Sequence, residues 1–202
     1  MNKIIKNTLI LTAITLISGL LLGMVYEITK DPIAASQEKA KQEAYKAVLK
    51  EADSFEEYAD FDEKEAQKAV SDISGCTVDE VAEAKDKSGE IIGYVVTTTS
   101  SEGYGGDIQI SVGIKNDGVV EGVEILSIGE TAGLGMKATE AKFRDQYVGK
   151  PVKAFTVTKT GAGSDEEIDA LSGATITSNA VTNAVNTGLA YFNTVIGGSA
   201  NE

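Results

Sequence analysis

No histidine occurs in these 202 residues, and cysteine occurs once. The first absence removes Ser-His-Asp and Cys-His nucleophilic machinery, together with His-based zinc, copper and haem sites. The second removes an internal disulfide, a C-x-x-C redox pair and any iron–sulfur cluster held within the chain. Electron chemistry, if there is any, has to come from an organic cofactor. Cys76 itself reads as a small buried apolar residue, the usual fate of a free cysteine. Positive charge is also scarce, with 18 Lys and Arg against 31 Asp and Glu for a net charge of −13. No nucleic-acid partner is expected, because neutralising phosphates takes a basic stripe. Nor does any G-x-G-x-x-G follow a strand and open a helix, so the dinucleotide fingerprint is missing.

Charge is absent altogether from Thr8 to Tyr26. As a helix this stretch is about 28 Å long, close to the hydrocarbon thickness of a bilayer. Lys3 and Lys6 precede it and Glu27, Lys30 and Asp31 follow. The positive-inside bias then predicts a single-pass anchor in the cell membrane, N-terminus cytoplasmic and the body outside. Met24-Val25-Tyr26-Glu27 is a poor signal-peptidase site, so the segment is expected to be retained. Thr8, Thr12, Thr15, Gly19 and Gly23 fall on one narrow face. Small and hydroxyl residues so placed let helices approach closely in lipid, which predicts a membrane partner.

Three regions follow: residues 1–30 as tail and anchor, 31–77 as a helical acidic linker, and 78–202 as a globular domain. Asp31-Pro32 reads as a helix start, with the helix running to about Glu51. Glu51 to Val70 is left open between loop and short helix. Val78–Lys85 and Ile91–Thr99 flank a turn composition and read as a β-hairpin. Ile108–Ile114 and Val119–Ile125 around Asn116-Asp117-Gly118 read as a second. Thr139–Tyr147 has helix-forming content, Val152–Val157 reads as a strand, and Ser178–Ile196 carries an apolar helical face. The fold class is α+β: one N-terminal transmembrane helix, then an antiparallel sheet with flanking helices.

Just ahead of that last helix stands Asp169-Ala170-Leu171-Ser172-Gly173-Ala174-Thr175. It sets a hydroxyl on a glycine-containing turn at a helix entrance, where free N–H groups and the helix dipole favour a phosphate. Taken alone, the same residues also describe an ordinary N-capped helix entry, with Thr177 or Ser178 as cap. The stretch matches in full the D-x-x-[ST]-G-A-T motif at which a flavin transferase attaches FMN. Gly103-Tyr104-Gly105-Gly106-Asp107-Ile108 and Glu130-Thr131-Ala132-Gly133-Leu134-Gly135 are similar to two further segments of that FMN-binding domain. With the N-terminal span, the chain resembles the G-subunit family of Rnf ion-translocating ferredoxin:NAD oxidoreductases.

The resemblance implies FMN held by a phosphoester to Thr175. Asp169, Ser172, Gly173 and Ala174 then form the stretch that the transferase reads. Thr175 has no base nearby in sequence, so attachment should need that separate enzyme. Glu130 and Thr131 would supply polar contacts, Gly133 and Gly135 close backbone approach, and Leu134 apolar contact to the ring, with Thr177 beside them. Ala132 and Gly129 stand where the family often has Pro and His, so the loop has less rigidity and no imidazole proton carrier. Lys142, Phe143 and Gln146 fit either ring contacts or surface helix and core. The implied activity is electron relay within a redox-driven ion translocase. The implied partners are the other membrane and redox subunits of the Rnf complex, the transferase and membrane lipid; no metal site is expected. Two other readings stay open: the C subunit of Na⁺-translocating NADH:quinone reductase, and a cofactor-free anchored binding module.

Overall fold

The computed structural model describes residues 2–197. Contacts divide the chain into two units, Met1–Lys41 and Gln42–Glu202. Helix α1 runs unbroken over Lys3–Val48 with Pro32 inside it, so no new helix starts there. Proline removes one hydrogen bond and crowds the carbonyl a turn back, at about 3 kcal/mol. Here the apolar run before it and the Ala-, Gln-, Glu- and Lys-rich run after it both favour helix, and α1 absorbs that cost. The N-terminal stretch of α1 is long and apolar enough to cross a bilayer once. Gly19 and Gly23 face open space. Thr8 and Thr15 donate back to the Ile4 and Thr12 carbonyls, so these hydroxyls are satisfied within the helix.

In the second unit five antiparallel strands lie in sequence order: β1 Ser54–Glu57, β2 Cys76–Lys85, β3 Ile91–Ser100, β4 Ile108–Lys115 and β5 Val120–Ile128. Both expected hairpins form, β2 with β3 and β4 with β5. Their turns use Gly89 at φ 86° and Gly118 at φ 82°, a region in which only glycine is free of strain. The acidic stretch left open resolves into β1 and helix α2 (Glu63–Ala69). Asp62 caps α2, accepting the Lys64 and Glu65 N–H groups at 2.9 Å each.

Both faces of the sheet are covered, so β4 is buried on both sides, its small Ser111 and Gly113 alternating with Ile110, Val112 and Ile114. On one face lies α4 (Thr175–Tyr191), burying Val181, Ala184, Val185 and Leu189 with Val81, Val96, Ile110 and Val112. On the other, the end of α1 brings Tyr45 and Val48 onto Ala82, Ala84 and Val95. The fit is close: a Cβ at Gly113 or Gly122 would come within 2.6 Å of Val48 main-chain atoms.

Between β5 and α4 the sequence reading needs two corrections. Thr139–Tyr147 is not one helix but a 3-10 turn (Gly135–Thr139), a single α turn, α3 (Ala141–Arg144), and a second 3-10 turn (Asp145–Tyr147). Breaking the helix lets Ala138, Phe143 and Tyr147 all enter the core, with Tyr147 edge-on to Phe143 and Phe155 at 5.9 and 5.2 Å. The strand expected over Val152–Val157 shrinks to β6 (Thr156–Thr158), which pairs in parallel with β7 (Glu167–Asp169), apart from the main sheet. Just before it, the Asn186 amide takes the place of a neighbouring strand, accepting the Phe155 N–H at 2.7 Å and donating to its carbonyl at 2.9 Å. Cys76 is a free, buried thiol as expected, its pKa raised by burial.

Candidate functional site

Helix α4 opens three residues earlier than its apolar pattern suggests. Ala174 is the N-cap residue, no side chain caps the helix, and Thr175 is its first helical residue. Neither Thr177 nor Ser178 is the cap. The Ser178 hydroxyl is buried instead, donating to the Ala174 carbonyl at 2.9 Å and accepting the Leu171 N–H at 2.9 Å. Those two bonds close Leu171–Ser178 into a fixed loop, inside which Gly173 sits at φ 76°. The first intrahelical bond runs from Ser178 N–H to the Ala174 carbonyl at 3.0 Å. The N–H groups of Thr175, Ile176 and Thr177 precede it and are the orphan donors of a helix start, aligned with the positive end of the dipole.

Thr175 opens into a cavity of about 490 Å³, whose floor is Gly173, Ala174 and Thr177. Glu130, Thr131, Leu134 and Gly135 form the opposite wall. Three segments far apart in sequence meet at Glu130, whose side chain is nearly buried. One carboxylate oxygen accepts the Gly105 N–H at 3.2 Å. A Cβ at Gly135 would stand 2.6 Å from the other oxygen and 2.6 Å from Thr177 Oγ1. A Cβ at Gly105 would meet the Gly129 carbonyl oxygen at 2.3 Å. Gly105 and Gly135 therefore permit loop-on-loop packing, whereas Gly133 and Gly173, both at φ 76°, need glycine for the backbone angle. Glu130, which the resemblance set beside the ring, puts a carboxylate into the same cavity as Thr175.

Asp169 and Ser172 lie elsewhere. They line a second cavity of about 520 Å³ with Lys142, Phe143 and Gln146. Phe143 is buried in the core, whereas Lys142 is exposed. Gln146 brackets the Asp169 main chain, accepting its N–H at 2.7 Å and donating to its carbonyl at 3.4 Å. The sequence motifs assign no role to two residues of the first cavity, Tyr104 and Ile176, which are 74% and 54% exposed at its mouth. An exposed aromatic among glycines is the available signal for Tyr104. Ile176 is concealed by the expectation of a later helix start.

An FMN fits this arrangement. The volume lies in the range of small-ligand sites. Uncapped N–H groups suit a phosphate, while Leu134, Ile176 and Tyr104 offer apolar surface to a ring system. Among the described residues no cluster of metal ligands is found.

The chain is similar to known proteins along both of its units. Residues 103–190 match the model of the FMN-binding domain family, and residues 1–48 match that of the RnfG N-terminal region. The G subunit of the Na(+)-translocating ferredoxin:NAD(+) oxidoreductase complex of Acetobacterium woodii is 34% identical, over 91% of this chain and 88% of that one. Its counterpart in the proton-translocating complex of Clostridium ljungdahlii is 33% identical, over 98% and 96%. The counterpart in the ion-translocating oxidoreductase complex of Methanosarcina acetivorans is 31% identical, over 94% and 95%. In structure the chain is similar to NqrC of Shewanella oneidensis, with a TM-score of 0.58 over 82% of this chain and all of that one; at 22% identity the likeness is one of fold. The identities separate the two anchored flavin families that the sequence left open, and the chain belongs to the G-subunit family of Rnf ion-translocating ferredoxin:NAD oxidoreductase complexes.

Proposed function

We propose that this chain is the membrane-anchored electron-relay subunit of such a complex, carrying FMN as a phosphoester on Thr175 Oγ1. One observation carries the reading: Thr175 is the first residue of α4, opens into the first cavity, and lies among uncapped N–H groups at the end of a complete D-x-x-S-G-A-T motif. A phosphodiester keeps its negative charge, and the α4 N-terminus stabilises it there by hydrogen bonding and dipole. Leu134, Ile176 and Tyr104 cover the ring system. Glu130 holds the Gly103–Gly106 loop against that wall, with Thr131, Gly133 and Gly135 shaping it, while Ala174 and Thr177 shape the floor. When bound, FMN supplies the redox chemistry, accepting two electrons and releasing them singly; the protein fixes its position and surroundings.

The remaining assignments rest on this reading. A flavin transferase loads Thr175, reading Asp169, Ser172, Gly173 and Ala174. The other subunits of the complex supply and remove electrons, and lipid surrounds the N-terminal part of α1. Lys3 and Lys6 keep the N-terminus cytoplasmic and place the FMN domain on the outer side, where a covalent link prevents loss of the cofactor. The coupling ion differs among relatives, being Na⁺ in the name of one and protons in that of another. A denaturing gel viewed under ultraviolet light tests the core of the proposal: the native band fluoresces and Thr175→Ala goes dark. Fluorescence that persists in the variant assigns the wrong residue. A colourless native protein with an unmodified Thr175 peptide removes the relay, and leaves the cofactor-free module.

A further inference from the structure

Among the described residues that line the first cavity, Glu130 is the only carboxylate, and no lysine or arginine stands with it. The residue is only 8% exposed. One of its oxygens accepts the Gly105 N–H at 3.2 Å, and the other makes no hydrogen bond among the described residues. Nor does an ion pair reach either oxygen there. The Thr175 end of the cavity is built differently, since the α4 N–H groups and dipole offset a negative charge at that point. Glu130 has no such offset: the rest of the lining is glycine, Ala174, Leu134, Ile176 and uncharged hydroxyl side chains.

Resting on the FMN reading above, we propose that Glu130 holds the flavin at a low reduction potential, as a fixed negative charge that arriving electrons have to meet. Reduction by two electrons with uptake of one proton leaves a negative charge on the ring system; a second proton, taken from water, removes it. A carboxylate in the same cavity repels that charge and has no comparable effect on the neutral oxidised ring, so it destabilises the reduced form selectively. The repulsion between like charges scales as 1/(εr), and a nearly buried carboxylate acts through a lower effective dielectric than water. A cavity of about 490 Å³ keeps a ring inside it close to that carboxylate. The consequence is directional: a flavin kept at low potential passes electrons on rather than retaining them.

The test is a potentiometric titration of the full chain, purified in detergent from membranes that have loaded it, followed by flavin absorbance in mildly alkaline buffer. Glu130→Gln keeps an oxygen for the Gly105 N–H and removes the charge. At a fixed applied potential it is expected to raise the ratio of reduced to oxidised flavin about tenfold, which is about 30 mV for a two-electron couple. Glu130→Asp does the reverse, keeping the charge while shortening the reach to Gly105, and its potential should stay near the native one. Thr131→Lys, at an exposed position on the same wall, supplies the missing counter-charge and should raise the potential with Glu130 still in place. Glu130→Gln at the native potential overturns the proposal, and so does Glu130→Asp moving as far as Glu130→Gln, which would mark a change of shape. If Glu130→Gln takes up no flavin, Thr131→Lys decides, and a native potential there overturns the proposal equally. A native chain that carries no flavin overturns the FMN reading itself, a result distinct from all of these.

Discussion

Gly135→Ala is the sharpest test of the flavin site as a packed object. Gly135 is buried, so its importance lies in space and not in backbone angle. The added methyl would sit 2.6 Å from both Glu130 Oε2 and Thr177 Oγ1, and 2.8 Å from Glu130 Cβ. Swinging the carboxylate aside sacrifices its bond to the Gly105 N–H, and Thr177 is a buried β-branched residue with little rotamer freedom. Glu130 Cβ cannot swing at all, so the loop itself has to move. Overpacking of this kind costs about 1–3 kcal/mol. A middle value of about 2 kcal/mol lowers the melting temperature of a domain this size by about 4–8 °C. Gly133→Ala is the control, since its methyl meets nothing within 4 Å and only the φ of 76° is strained; its cost is about 1 kcal/mol. Melting by circular dichroism and flavin per chain by absorbance are measured on both. Gly135→Ala should lose stability and flavin together, and Gly133→Ala should keep most of its flavin. A Gly135→Ala protein that melts with the native one and is fully loaded would refute the packing described here.

Two buried tyrosines should respond oppositely to loss of the hydroxyl. Thr182 spends its hydroxyl proton on the Ser178 carbonyl at 2.8 Å, so Tyr147 donates to Thr182 at 2.8 Å, and Tyr147→Phe should cost about 1 kcal/mol in urea unfolding. The Tyr191 hydroxyl is buried with no hydrogen-bond partner among the described residues, so Tyr191→Phe should be neutral or stabilising in the same assay. Burial also pushes the Tyr191 pKa up to about 12, well above the ordinary phenol near 10. A raised pKa on a group that is neutral when protonated contributes stability that is whole below about pH 10 and drains away towards pH 12. Alkaline unfolding should therefore be shallower in Tyr191→Phe than in the native chain. Gly113→Ala, whose methyl would stand 2.6 Å from the Val48 carbonyl oxygen, should loosen the end of α1, read as faster hydrogen exchange over residues 42–52.

Sequence pattern exposed the parts of this fold that are local. The two hairpins followed from short runs around turn-forming residues, and the membrane helix from an uninterrupted apolar run. Long-range decisions were hidden. Pro32 marked a boundary that α1 ignores, because helix formers on both sides outweigh one missing bond. Ser178 looked like a cap, yet its hydroxyl is taken by Leu171 and Ala174, and the true start shifted back onto Thr175. Val152–Val157 looked like a strand, but Asn186 satisfies Phe155, and no main-sheet neighbour remains for it. At the site, the contiguous D-x-x-S-G-A-T residues were visible as a unit. Their division between two cavities was not, since it depends on where the 130–135 and 137–146 segments pack.

The bonds from the Ser178 hydroxyl to Leu171 and Ala174 also bear on biosynthetic order. They shape the attachment turn from the chain's own atoms, with no contribution from a nucleotide. On the proposed attachment, folding can finish first and loading follow, so a newly made copy awaiting FMN is a stable inventory rather than a substrate for proteolytic clearance.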